Sequence, residues 1–92
     1  MEKVILRTKF FEKALKKFNP KIQQKFAQKL DIFLGNEKDE RLKTHQLKGY
    51  RKNEFAFSVT GNVRAIYRKR ISNGEEIIAF VFVDIGNHNN VY

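Results

Sequence analysis

Residues 54–83 read EFAFSVTGNVRAIYRKRISNGEEIIAFVFV and decide the fold. Apolar and polar residues alternate in 54–59 and return in 63–68 after Thr-Gly-Asn, a pattern that predicts a β-hairpin. A second turn, Ser-Asn-Gly at 72–74, precedes the unbroken apolar run 77–83. Continuous hydrophobicity over that length is typical of a central strand covered by helices.

The N-terminal third of the chain predicts a strand and two amphipathic helices. A short β-prone run at 4–6 leads from Thr8 into a stretch whose apolar residues are three and four positions apart. Asn19 and Pro20 are typical of a helix start and Gly35 of a helix end. The apolar positions of the two helices are Phe11, Ala14, Leu15, Phe18, Ile22, Phe26, Leu30 and Phe33. We therefore expect a helix hairpin with a basic outer face.

Residues 36–53 are polar and predict a long surface loop anchored only by Leu42, Leu47 and Tyr50. Loops of this length are commonly functional or mobile. The segment that follows the last apolar run, residues 84–92, predicts a short polar tail. Both segments lie beside strands, where they can carry binding or catalytic side chains.

The whole chain, residues 1–92, is predicted to be a single α+β domain. Its elements follow the order β-α-α-β-β-β, which predicts a mostly antiparallel sheet with the two-helix hairpin on one face. Ninety-two residues, 41% of them hydrophobic, are enough for one core and too few for two.

The net charge of +9 is unevenly distributed and indicates a polyanionic partner. Residues 1–52 hold 15 Lys/Arg and 6 Asp/Glu, whereas residues 53–92 hold four of each. The four late cations are Arg64, Arg68, Lys69 and Arg70. Nucleic acid, an acidic membrane surface and an acidic protein all fit this charge.

The composition excludes several other kinds of site. Absence of Cys excludes disulfides, thiolate metal sites and a cysteine nucleophile, and it fits a reducing compartment. The longest apolar run is too short to span a membrane, and the first residues lack a signal-peptide pattern. We therefore expect a soluble, cytoplasmic protein with no membrane partner.

Two histidines are the candidate proton-transfer groups: His45 lies in the long loop and His88 follows the last strand, with Arg64 on a strand between them. The chain has no clustered metal ligands or nucleophile-elbow motif, so we expect no metal and no cofactor. Cleavage of RNA by its own 2′-hydroxyl needs a base, a cation for the phosphate and an acid. Imidazole and guanidinium groups supply these functions unaided.

Three segments together resemble the RelE/YafQ-type toxins, most closely the YafQ branch. They are LKTHQLKG at 42–49, NVRAIY at 62–67 and IGNHNNVY at 85–92. The resemblance covers essentially the whole chain and implies a fold similar to a microbial ribonuclease. It also implies a metal-independent endoribonuclease that cleaves mRNA in the ribosomal A site and is neutralised by an acidic antitoxin, as in a type II toxin-antitoxin pair.

The resemblance assigns roles to individual residues. The catalytic positions of the family fall at His45, Arg64, His88 and Tyr92. It further implies phosphate contacts from the basic loop, and the expected RNA-binding residues are Lys48, Arg51, Lys52 and Arg68. The YafQ branch has a histidine and an acid where this chain has Ser58 and Asn62, which leaves open which residue is the general base.

Other functions remain open to the same sequence. A ParE-like toxin that inhibits DNA gyrase resembles this architecture and needs no ribonuclease site. A non-catalytic RNA- or ribosome-binding module needs only basic charge, and so does a basic protein that merely docks an acidic partner. The pairing of His88 with Tyr92 favours the ribonuclease.

Overall fold

The computed structural model describes residues 2–72, 74 and 76–88, and its elements confirm the predicted α+β fold. Two helices lie between the first and second of five strands. The elements are β1 Glu2–Arg7, α1 Lys9–Lys16, α2 Pro20–Gly35, β2 His45–Gln46, β3 Phe55–Ser58, β4 Val63–Ile71 and β5 Ile77–Asn87. The two-residue strand β2 is an addition to the predicted order.

The five strands form one sheet in the order β1-β5-β4-β3-β2. β1 runs parallel to β5, and the remaining pairs are antiparallel. β5 is interior, as its apolar run predicted. The prediction of a polar tail from residue 84 was wrong for 84–87, because Asn87 still pairs with Val63 and the backbone ladder continues whatever the side chains are. The rest of that tail, 89–92, lies outside the described residues.

Side-chain caps start both helices where the sequence predicted. The Thr8 hydroxyl accepts a hydrogen bond from the amide of Phe11 at 3.1 Å, and the Asn19 side chain accepts one from the amide of Ile22 at 3.0 Å. Pro20 occupies the first turn of α2, where its missing N–H leaves no intrahelical bond unmade. Each cap stabilises its helix by about 1 kcal/mol.

The helices cover one face of the sheet with an aromatic core. The Phe33 ring of α2 meets Phe80 and Tyr67 edge-on, at centroid distances of 4.7 and 4.9 Å. Such pairs contribute about 0.5–1.5 kcal/mol each beyond the apolar area they bury. The fully or almost fully buried aromatic residues are Phe11, Phe26, Phe33, Phe57, Tyr67, Phe80 and Phe82.

The connection between α2 and β3 packs closely against the sheet instead of forming a plain surface loop. Leu42 is fully buried, as expected of an anchor. The Tyr67 hydroxyl donates to Glu37 at 2.6 Å, and the Lys69 ammonium lies 2.9 Å from the same carboxylate. Burial, reinforced by Glu37, raises the pKa of Tyr67 far above its usual value, so the phenol stays a donor. These contacts fix the first half of the connection.

A short 3-10 turn, Glu40–Leu42, follows this contact. The Arg41 guanidinium donates twice to Asp39 at 2.9 Å, and these hydrogen bonds, with one from the Arg41 amide, lower the pKa of that carboxyl to about 2. Asp39 therefore stays charged as an N-cap of the turn. Another 3-10 turn follows at Gly49–Arg51. The expected surface loop thus contains ordered local structure.

Candidate functional site

The face of the sheet opposite the helices, called the open face below, collects the predicted site residues. Ser58, Arg64 and Gly86 are paired in register across β3, β4 and β5. Ser58 and Arg64 alternate with residues that enter the helix-side core, so both lie on the open face. This row is the centre of the candidate site.

An irregularity in β5 brings the end of that strand to the open face. Tyr67 pairs with Phe82 but the preceding Ile66 pairs with Asp84, so one residue of β5, Val83, is extra. A β-bulge of this kind reverses the alternation of side chains beyond it. Asp84 and Gly86 consequently lie on the open face, whereas an unbroken β5 would place them toward the helices.

Arg64 is held by the turn between β3 and β4. Its Nη1 donates to the carbonyl oxygens of Thr60 and Gly61 at 2.9 and 3.1 Å. Among the described residues, none of the ion pairs includes Arg64. The turn therefore orients a guanidinium whose charge no described carboxylate neutralises, which suits an anionic ligand.

His88 extends the same end of the open face. Its amide donates to the carbonyl of Asn62 at 2.7 Å, which continues the pairing of β4 with β5 by one residue. His88 is exposed and follows the last residue of β5. Its backbone lies beside Asn62, two residues before Arg64, and therefore at the same end of the sheet as Arg64. The predicted aromatic partner, Tyr92, lies outside the described residues.

His45 lies at the opposite edge of the open face, in β2. Its Nδ1 is 3.1 Å from the carbonyl oxygen of Lys43, and a neutral ring that donates there carries its lone pair on Nε2. Three interstrand spacings, about 14 Å, separate the backbones of His45 and His88 across the sheet. His88 also lies four residues, about 13 Å, beyond the row of His45. The backbones of the two histidines therefore lie well apart on the sheet.

A buried carboxylate links two of the predicted RNA-binding residues. The side chain of Glu54 is only 8% exposed and accepts hydrogen bonds from Arg51 and Arg68, each at 2.8 Å. Arg51 also donates to Asp84 on β5 at 3.2 Å. We call Arg51, Glu54, Arg68 and Asp84 the open-face ion network. It holds the Gly49–Arg51 turn against the sheet.

The network changes what each cation offers to a phosphate. Burial opposes the charge of Arg51, but its interaction with Tyr50 and the nearby carboxylates outweighs this and raises its pKa above the usual value. Arg51 stays charged, yet it contacts phosphate only if these ion pairs open. Lys48 and Lys52 are exposed on either side of the turn, while Arg68 is paired and half-exposed.

Sequence reasoning missed Glu54 and Asp84. Glu54 precedes β3 and Asp84 follows the apolar run within β5, and their position next to the open face depends on strand register and on the bulge. One local signal was available: Arg51 and Glu54 are three residues apart with opposite charges. The link to Asp84 spans 33 residues and has no counterpart in the local pattern.

The described residues contain no group of three or more His, Cys, Asp or Glu side chains arranged to hold a metal ion. In the same part of the chain, no helix is long and apolar enough to cross a membrane.

Comparison with protein-family models finds no match, and comparison with curated sequences finds no significant relative. Solved structures do match. A YafQ structure from Escherichia coli superimposes with a TM-score of 0.75 at 16% identity, covering 99% of each chain. A YoeB/ParE toxin from Agrobacterium tumefaciens gives 0.74 at 15% identity, covering 92% of this chain and 98% of the other. This chain has the RelE/YafQ toxin fold.

The same fold occurs in the RelBE2 toxin-antitoxin complex from Mycobacterium tuberculosis, with a TM-score of 0.68 at 17% identity over 96% of this chain and 100% of the other. These identities are low, so the likeness lies in the backbone. In this copy of the RelE/YafQ fold, the face without helices carries Arg64 near one end and His45 at the opposite edge, and the backbone of His88 lies at the same end of the sheet as Arg64.

Proposed function

We propose that this chain is the toxin of a type II toxin-antitoxin pair and a metal-independent endoribonuclease that cleaves mRNA in the ribosomal A site. The observation that carries the proposal is the position of Arg64 and the backbone of His88 at the same end of the sheet, with Arg64 oriented by the β3–β4 turn. The RelE/YafQ fold over nearly the full length of the chain supports it. On this proposal residues 1–92 act as one cytoplasmic toxin domain.

The chemistry follows from the side chains at that end of the sheet. Arg64 binds the scissile phosphate, because a guanidinium pairs its donors with phosphate oxygens and stabilises the charge that develops in the transition state. His88 donates a proton to the leaving 5′-oxygen, since an imidazole group can transfer a proton in a transition state. We assign Tyr92 to stacking on a base.

The proton acceptor is proposed to be His45, the imidazole in β2. Ser58 lies opposite Arg64 but is buried, and a hydroxyl is a poor base at neutral pH. If His45 instead only holds a neighbouring nucleotide, His45→Ala raises KM and leaves kcat unchanged. Removing the base lowers kcat, so the two parameters separate the roles.

The proposed partner besides RNA is an acidic antitoxin. A net charge of +9 on 92 residues favours a polyanionic cover. Lys48 and Lys52 offer exposed cations to either polyanion, and Arg68 adds a half-exposed one. Arg51 is proposed to support the turn and to reach phosphate only when its ion pairs open.

The test is to incubate the purified protein with translating ribosomes and to map the new 5′ ends of the mRNA. Cuts within A-site codons are the expected result, with no metal added beyond the Mg²⁺ that the ribosomes need. If the mRNA stays full-length although the protein is folded and the ribosomes are translating, the nuclease proposal is wrong. Binding to ribosomes without cuts would instead identify a non-catalytic binding module.

A further inference from the structure

The open face has a cavity of about 440 Å³ formed by one continuous segment, residues 45–51. Its volume lies within the range of about 300–1,000 Å³ that is usual for small-molecule pockets. Apolar surface dominates its lining. His45 stands at one end of the segment, so the cavity adjoins the site proposed above.

The walls of this cavity are fixed by several contacts. Leu47 is buried and packs on Ala56 and Ile66 of the sheet. Gly49 adopts φ +71°, a left-handed conformation that bends the chain at little cost for glycine. The ion pairs of Arg51 hold the far side of the turn. A pocket whose walls are held by such contacts loses less conformational entropy when a ligand binds.

Tyr50 interacts with Arg51 through its side chain, but the fold leaves its ring unburied. The sequence suggested that it anchors the loop, but that prediction was wrong because the side chain is 93% exposed. Its place on the Gly49–Arg51 turn, beside the apolar cavity, presents a large ring to the solvent. Exposed aromatic rings on basic surfaces are what proteins use to stack on unpaired bases.

The charges around the cavity select the same kind of ligand. Lys48 and Lys52 are exposed next to Tyr50, and the cavity lining contains no carboxylate. The nearest acids on the open face, Glu54 and Asp84, already pair with arginines. The apolar cavity and the aromatic ring suit a flat base, and the flanking lysines suit the phosphates on either side of it.

We propose that the cavity of residues 45–51 is a binding site for one unstacked nucleobase of single-stranded RNA, with Tyr50 as its stacking platform. This site deepens the proposed function, on which it rests, by naming a substrate contact away from Arg64 and His88. The base it takes belongs to a nucleotide beside the one that is cleaved. The cavity then helps to hold the RNA strand across the open face.

The test measures binding without cleavage. A fluorescent six-nucleotide RNA with 2′-O-methyl groups at every position lacks the attacking hydroxyl, and its affinity for the intact protein is read by anisotropy. Tyr50→Ala is expected to weaken binding roughly 5- to 150-fold, which corresponds to about 1–3 kcal/mol for one stacked base. Tyr50→Phe retains the ring and should stay within about twofold of the unaltered protein.

Phe10→Ala is the matched control, because Phe10 is 66% exposed but belongs to helix α1. Its affinity should also stay within about twofold. A series of RNA probes, each lacking the base at one position, completes the test. Loss of the base at one particular position should weaken binding to the unaltered protein. The same loss should change the affinity of Tyr50→Ala very little, because that variant has already lost the stacking contact. Equal affinity of Tyr50→Ala and the unaltered protein, or no sensitive abasic position, would overturn the base site.

Polyglutamate serves as the competing probe for an acidic protein ligand. If polyglutamate binds more tightly than RNA and loses affinity in Tyr50→Ala, the cavity is a protein-binding site and the proposal is wrong. The ribosome cleavage assay and this RNA-binding assay test separate proposals, so either result can be negative without the other. If RNA binding depends on Tyr50 but mRNA is not cleaved, the base site stands and the nuclease proposal is wrong. If mRNA is cleaved but Tyr50→Ala binds RNA as tightly as the unaltered protein, the nuclease proposal stands and the base site is wrong.

Discussion

Arg64 and Arg70 lie on the same strand, β4, and on the same face of the sheet. The Arg64 guanidinium is held by the β3–β4 turn, through hydrogen bonds to the carbonyl oxygens of Thr60 and Gly61. A lysine at that position keeps the charge but loses the planar donor pair. Such a substitution therefore separates bidentate phosphate recognition from simple charge.

We predict that Arg64→Lys lowers the single-turnover rate of mRNA cleavage on ribosomes by at least about tenfold, a loss of roughly 1.4 kcal/mol of transition-state stabilisation. Arg70→Lys, the same exchange on the same strand, should leave the rate within about twofold. Full activity of Arg64→Lys would show that the site does not use planar bidentate recognition.

For His88, we predict that His88→Ala keeps the fold and lowers the cleavage rate by roughly 10²–10⁴-fold, the usual contribution of a general acid or base. Its exposed position at the end of β5 means that truncation removes little buried surface. Circular dichroism and the urea midpoint check the fold, and single-turnover kinetics measure the rate. A folded variant that loses less than about tenfold contradicts the proton-transfer role.

Among the connecting elements, the Gly49–Arg51 turn depends on the open-face ion network for its position. Glu54 lies at the start of β3 and is almost fully buried, so its two arginine partners replace the water it gave up. An exposed ion pair, Arg7–Glu12 at 3.5 Å, occurs on the helix side of the same chain. The two pairs differ mainly in burial and in the number of hydrogen bonds.

We predict that Glu54→Gln lowers the free energy of unfolding by about 1.5–3 kcal/mol, the range for hydrogen bonds to charged groups. Glu12→Gln should change it by less than about 1 kcal/mol, because exposed ion pairs contribute little. Urea denaturation of both variants measures the difference. Equal effects would mean that the network does not support the turn.

Across the complete chain, the excess of positive charge in residues 1–52 predicts dependence on an acidic neutralising partner. Expression of the chain alone should arrest growth, and co-expression of an acidic protein encoded next to it should relieve the arrest. Protein synthesis should stop before DNA-damage signalling begins. The reverse order would favour a gyrase-directed toxin of the ParE type.

Local patterns in the sequence predicted the two helices and the longer strands, but not the two-residue strand β2 or the extension of β5 to Asn87. The helix start at Asn19, the stop at Gly35 and the strand run from Ile77 depend on neighbouring residues, and the structure confirms each of them. The roles of His45, Arg64 and His88 stay predictions. Residue chemistry alone made them candidates.

Tertiary structure alone decided which of these side chains meet. A single extra residue, Val83, reverses the alternation of β5 and brings Asp84 to the open face, where Arg51 binds it from 33 residues away. The same packing buries Leu47 and leaves Tyr50 exposed, although both are apolar residues of one polar segment. The spacing of apolar residues along the sequence indicates whether a segment is a helix or a strand. Strand register, bulges and long-range ion pairs depend instead on the free energy of the whole packed sheet.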